Sequence, residues 1–293
     1  MYHQPVNEGF AINTSAPGAE TMEIAVRELR ETPEVRQAAI VELRQLLSEA
    51  KDLCYRDDDE FLVIFLRPCK FYAKSALELM RRIAQFRKDY NSILDNLMPE
   101  DERVAFCDND VVNVLTNRDQ LGRRVLIVNA GGKWDPKKVS SDQMFRMFYL
   151  IHEAAMLEPE TQIRGVVCIM DFEGLGMKQV TSMSPAFSMR LLSFIQDAMP
   201  LRMKEVHFVK QPLIFNMVWK MFQPFVKEKL RKRLFFHGSK MEELHKYISP
   251  SHLPQNYKGQ LPSIDYGGKD WYPVITKYED HIRKWNSYGF SKK

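Results

Sequence analysis

The chain has 293 residues, 45% of them hydrophobic, and a net charge of +4, enough apolar material for one large domain or two smaller ones with a sizeable core. No apolar run approaches the roughly 18 residues of a membrane span. The first residues hold no basic n-region with an apolar h-region and no glycine after the initiator methionine, so neither a secretory leader nor a myristoyl anchor is expected.

Residues 1–21 are polar, contain Gly and Pro and lack a period, which predicts a flexible tail. The pattern over 22–98 is helical. Thr32-Pro33 reads as an N-cap followed by proline, with Ala38, Ile40, Leu43, Leu46 and Leu47 at helical spacing. Asp57, Asp58 and Asp59 put acid at the start of a short helix over 60–66, where the helix dipole favours it, and Pro68 ends that helix. A further helix over 73–90 turns Leu79, Ile83 and Phe86 to one side and completes an all-helical unit.

Beyond Met98-Pro99, short apolar runs alternate with longer helical segments. The runs 125–128 and 166–170 are continuous apolar strands of the kind buried on both faces, and 205–209 reads as a third. Helices are predicted over 140–157 and 184–199, a strand at Leu234, Phe235 and Phe236, and a closing helix over 240–248. The Pro/Gly-rich segment 253–268 wraps the end. This alternation predicts an α/β domain over 99–270 with a mixed, largely parallel sheet, and 271–293 is left as a C-terminal tail.

Two chemistries meet between 202 and 238. The segment 213–222 forms a helix apolar on every face, broken only by Asn216 and Lys220, and such a helix is sunk in a core or turns a side to lipid or a greasy ligand. Pro224 is placed to start a second helix, on which Lys229 pairs in space with Arg233 and Lys227 with Arg231. From Arg202 to Arg233 nine Lys/Arg face only Glu205 and Glu228, so the basicity is local and points to anionic headgroups, nucleic acid or an acidic protein. Aromatics precede the basic run instead of interleaving with it, which favours lipid over nucleic acid.

Familiar catalytic signatures are absent. The sequence has no phosphate loop, no G-x-G-x-x-G, no G-x-S-x-G elbow and no H-E-x-x-H. Gly174-Leu175-Gly176 reads as a turn, and Asp171, at a strand's C-terminal end, lacks a partner base. The four cysteines, Cys54, Cys69, Cys107 and Cys168, lie far apart without C-x-x-C spacing. That argues against a metal site or a disulfide framework and for a reducing, cytoplasmic setting.

Five segments in order, FLVIFLRPCKF (61–71), GRRVLIVNAGGKWDP (122–136), ETQIRGVVCIMDFEGL (160–175), the stretch 199–238 and LPQNYKGQLPSIDYGG (253–268), resemble the CRAL-TRIO lipid-transfer family, especially its tocopherol- and retinaldehyde-carrying members. The resemblance implies a non-catalytic, monomeric carrier of one hydrophobic molecule, without a further cofactor, whose pocket is closed by a gate helix over 213–222. It implies a lining of Phe145, Phe148, Tyr149 and His152 on one helix and Val166 and Met170 on a strand. Leu191, Phe194 and Ile195 continue it on the next helix, and Val206, Ile214, Val218 and Met221 carry it toward the gate. It also implies that Arg202, Lys229, Arg231 and Arg233 bind a phosphoinositide headgroup, so that the ligand, tocopherol- or retinoid-like, is exchanged at endosomal or other anionic membranes. The family's arginine two positions past the FLR helix is Cys69 here, with Lys70 beside it. The alternative to a carrier is a scaffold module whose interior is filled by its own side chains and whose basic patch binds an acidic partner or an anionic membrane.

Overall fold

Five helices lead the chain: α1 (Ala19–Leu29), α2 (Pro33–Glu49), α3 (Asp59–Leu66), α4 (Ala73–Asp89) and the single turn α5 (Asn91–Leu94), with the two-residue strand β1 (Leu53–Cys54) between α2 and α3. They belong to a computed structural model that describes residues 9–291. Helix starts follow the side chains: Thr32 accepts a hydrogen bond from the Val35 amide at 3.3 Å and Asp58 from the Phe61 amide at 3.2 Å, satisfying amides that have no partner inside the helix. Helix α3 is buried from Phe61 to Leu66. Arg67, at its end, pairs with Glu31 at 2.8 Å and donates to Gln162 at 2.5 Å, tying the helical part to the rest of the molecule.

The second part runs α6 (Arg103–Asp108), β2 (Val112–Val114), β3 (Arg124–Asn129), α7 (Ser141–Ala155), α8 (Pro159–Arg164), β4 (Val166–Asp171), α9 (Met177–Ser182), α10 (Pro185–Ser193), β5 (Met203–Val209), α11 (Phe215–Phe222), α12 (Glu228–Arg231), β6 (Leu234–Phe236) and α13 (Met241–Leu244). The sheet order is β2-β3-β4-β5-β6, antiparallel only at the β2–β3 edge. This is the mixed, mainly parallel α/β arrangement expected from the strand pattern. Alternation along each strand splits the sheet's two faces. Val125, Ile127, Val167, Ile169 and Val209 pack against Leu244, Ile248, Leu253 and Tyr257. The opposite residues, Val128, Cys168, Met170, Val206 and Phe208, look the other way. An irregularity in β4–β5 pairing between Val166 and Val167 turns Met203 to that same side, out of step with the simple alternation.

Three expectations need correction. The predicted tail over 1–21 is anchored where it can be described: Phe10 packs edge-on against Trp271 with centroids 6.2 Å apart, Arg124 donates to the Ala11 carbonyl at 2.6 Å, and the Asn13 amide donates to Glu158 at 3.0 Å. Residues 1–8 lie outside the described residues. The predicted C-terminal tail, 271–293, instead holds most of α14 (Gly268–Thr276), α15 (Glu279–Ser287) and the strand β7 (Gly289–Phe290), which pairs with β1. Trp271, Ile275, Ile282 and Trp285 are its buried stripe, and the Arg87 guanidinium clamps it by donating to the Trp285, Asn286 and Tyr288 carbonyls at 2.6–2.7 Å. The helix expected to start at Pro224 is only a 3-10 turn. Val226 turns inward in extended conformation, leaving α12 four residues long, so Lys229 and Arg233 share no helix face.

Candidate functional site

The sheet face carrying Cys168, Met170, Val206 and Phe208 is roofed by α7, α10 and α11, and a cavity lies between. It leaves about 100 Å3 for the centre of a water molecule within about 980 Å3 of interatomic space that runs out to its mouth. A single water needs only ~10–15 Å3 of such space. Every lining side chain is aliphatic, aromatic, thioether or thiol, so water that enters gains no hydrogen bonds there.

Of the residues implied by the family resemblance, Phe145, Phe148, Met170, Leu191, Ile195, Val206 and Val218 line this cavity. The others sit elsewhere. His152 and Val166 line a second, smaller cavity. Tyr149 accepts a hydrogen bond from the Trp285 indole at 3.3 Å. Phe194 is a packing hub, within 5.0–5.8 Å of the rings of Phe145, Phe148, Tyr149 and His152. Ile214 precedes α11 and Met221 lies on its flank, both half-buried and neither in the wall. Phe208, Phe215, Trp219 and Phe222 were missed. Counting two residues along the strand from Val206 reaches Phe208, counting three back and four on from Val218 reaches Phe215 and Phe222, and four on from Phe215 reaches Trp219.

Helix α11 and the turn before it are apolar both inside and out. Phe215 and Val218 are buried while Leu213 is 90% and Met217 48% exposed. Met177 on α9, Met189 on α10 and Phe236 on β6 are further exposed apolar side chains, and Phe236 meets the Trp219 ring edge-on at 5.0 Å. The helix is entered through Lys210, whose φ of +54° is left-handed. Lys210 pairs with Glu173 at 2.8 Å and Asp171 at 3.4 Å. Asp171 also caps a turn by accepting from the Glu173 amide at 3.0 Å, a structural use for the strand-end acid.

The four expected headgroup residues differ in availability. Arg202 pairs with Glu28 of α1 at 2.6 Å and donates to the Ile163 carbonyl. Burial would raise the Glu28 carboxyl, but the Arg202 hydrogen bond and the Lys204 charge outweigh it and hold it low. Arg233 donates to the Met203 carbonyl, and burial together with the neighbouring Arg202 lowers its pKa. Lys229 and Arg231 are exposed and form no ion pair among the described residues, whereas Lys227 and Lys232 are taken by Asp197 and Glu228. Burial raises the Cys69 thiol to about 11 against the opposing charges of Arg82 and Lys229.

The pattern of the CRAL/TRIO domain matches residues 108–259. Clavesin-1 of Pongo abelii is 34% identical over 251 residues, covering 85% of this chain and 70% of the relative. Clavesin-2 of Homo sapiens is 32% identical over 262 residues, covering 89% and 79%. Among solved structures, Sfh5 superposes with a TM-score of 0.47 at 15% identity, covering 80% of this chain and 85% of that one.

Proposed function

Because the chain belongs to the CRAL/TRIO family, we propose that it carries one hydrophobic lipid, of tocopherol or retinoid type, between membranes and exchanges it when α11 swings open at an anionic bilayer. The observation that carries this reading is the wholly apolar cavity walled by Phe215, Val218, Trp219 and Phe222 of a short helix that shows Met217 to solvent, with Leu213 exposed in the turn before it.

The energetics explain why such a helix is needed. An isoprenoid tail of about 15–20 carbons gains on the order of 12–16 kcal/mol on leaving water, yet close to nothing on leaving a bilayer. Hydrophobicity therefore holds the cargo in transit and cannot extract or deliver it. Opening must be coupled to the membrane, and the exposed apolar residues around the gate supply a contact that bare water does not reward. Native mass spectrometry of gently purified protein should show one bound apolar molecule per chain. A ligand-free protein from every lipid-rich source would favour the scaffold alternative.

Of the four implied headgroup residues, Lys229 and Arg231 are the two that are exposed and in no ion pair among the described residues. Each basic group near an anionic surface contributes about 1 kcal/mol, so neutralising both should lower partition onto vesicles holding phosphatidylinositol bisphosphate roughly thirtyfold. Sedimentation of the Lys229→Gln/Arg231→Gln double variant checks this. Unchanged partition, or equal transfer rates with and without the phosphoinositide, overturns the headgroup assignment.

A further inference from the structure

The second cavity lies toward the opposite end of the strands from α11. Leu126 and Val166 form its floor, Ile151, His152 and Ala155 of α7 its roof, and Phe10 and Ile12 of the N-terminal segment its outer wall. Phe148 and Met203 belong to the walls of both cavities, so the two spaces adjoin across these side chains.

His152 stands out in this setting. It is 5% exposed, and neither ring nitrogen has a hydrogen-bond partner among the described residues. A buried polar side chain with no partner is uncommon in native proteins and calls for a missing one. Burial depresses its pKa to about 3, so the ring is neutral at physiological pH, with one nitrogen to donate and one to accept. The cavity's other polar residues are committed. Arg124 binds Glu158 through two contacts of 2.5 and 2.9 Å and the Ala11 carbonyl at 2.6 Å, leaving no free cation to compensate a buried carboxylate.

We propose that this second cavity receives the polar end of an elongated ligand whose tail fills the first, with His152 hydrogen-bonding a neutral hydroxyl or carbonyl group and with carboxylates rejected. The ligand class is then a singly polar neutral lipid, an alcohol or an aldehyde, and not a fatty acid. Phe148 is the partition that such a ligand displaces, and the Phe10–Ile12 strap closes the far side.

This inference rests on the carrier reading, and the test separates the two. Delipidated protein is titrated at pH 7.4 with three probes that share one branched twenty-carbon skeleton: phytol, the hydrocarbon phytane and phytanic acid. Bound mass is read by native mass spectrometry. The wild type should bind phytol five- to tenfold tighter than phytane, as expected for one neutral hydrogen bond, and tighter still than phytanic acid. His152→Leu should weaken phytol binding five- to tenfold and leave phytane unchanged, and His152→Gln should restore the preference, which a purely structural role would not do. A preference for phytol that survives His152→Leu, or phytanic acid bound as tightly as phytol, overturns the subsite while leaving the carrier intact. No binding of any probe by the wild type overturns both.

Discussion

Val206→Trp should leave the protein at least as stable as the ligand-free wild type and yet reduce bound lipid at least tenfold. Val206 sits midway along β5 and its side chain faces the apolar cavity. In a filled core an indole in place of an isopropyl group overpacks and costs about 1–3 kcal/mol. Here the added ring enters space that is already open, about 100 Å3, and buries its own apolar surface on folding. What it takes from the protein is the ligand's own volume. The wild type should show ligand-linked stabilisation, on the order of 2.7 kcal/mol when lipid exceeds its Kd a hundredfold, and the variant should show none. Thermal denaturation with and without added lipid, combined with native mass spectrometry, measures both effects. A variant destabilised by several kcal/mol with lipid binding intact would mean that the space at Val206 is not where the cargo lies, and the carrier proposal would lose its main support.

The legible parts of this fold are those set by local chemistry. Thr32, Asp58, Ser140 and Ser184 each precede a helix and each accepts a hydrogen bond from the third amide beyond it, so helix starts could be read one residue at a time. The apolar strands were equally plain, but the property that made them plain hid the site. Because 125–128 and 166–170 are apolar on both faces, no alternation says which residues line a cavity and which meet α13. The resemblance supplied a face, yet it could not foresee that His152 and Val166 would line a different cavity from Met170. Nor could spacing along the chain foresee that Glu28 engages Arg202, since 174 residues separate them. The C-terminal helices are a different case: Trp271, Ile275, Ile282 and Trp285 recur at helical spacing and were readable, but dense charge between them masked the stripe.

Glu153→Gln should make the protein more stable at pH 8 and change little near pH 4.5. Glu153 lies on the α7 turn after Tyr149, fully buried, and both carboxyl oxygens lack a hydrogen-bond partner among the described residues. Burial raises its pKa to about 8, opposed by the Arg87 charge and by the nearby Tyr149 hydroxyl, which lies outside hydrogen-bond geometry, so the folded state keeps the carboxyl protonated at neutral pH. The unfolded chain ionises near the ordinary value of 4.5. Folded pKa above unfolded pKa means that the favourable balance is complete below 4.5 and is lost as pH rises to 8, at about 1.4 kcal/mol per pH unit. Integrated over that window the loss is on the order of 4 kcal/mol, large against the 5–15 kcal/mol of a typical domain. A glutamine cannot ionise in either state and removes the slope while keeping size and polarity. Urea unfolding at pH 4.5, 6 and 8 should therefore show the two proteins converging at the acid end and separating by about 2–4 kcal/mol at pH 8, the lower figure allowing for relaxation around Arg87. Parallel curves across that range would mean that Glu153 ionises as freely folded as unfolded, and that the α7 interface with Trp285 admits water.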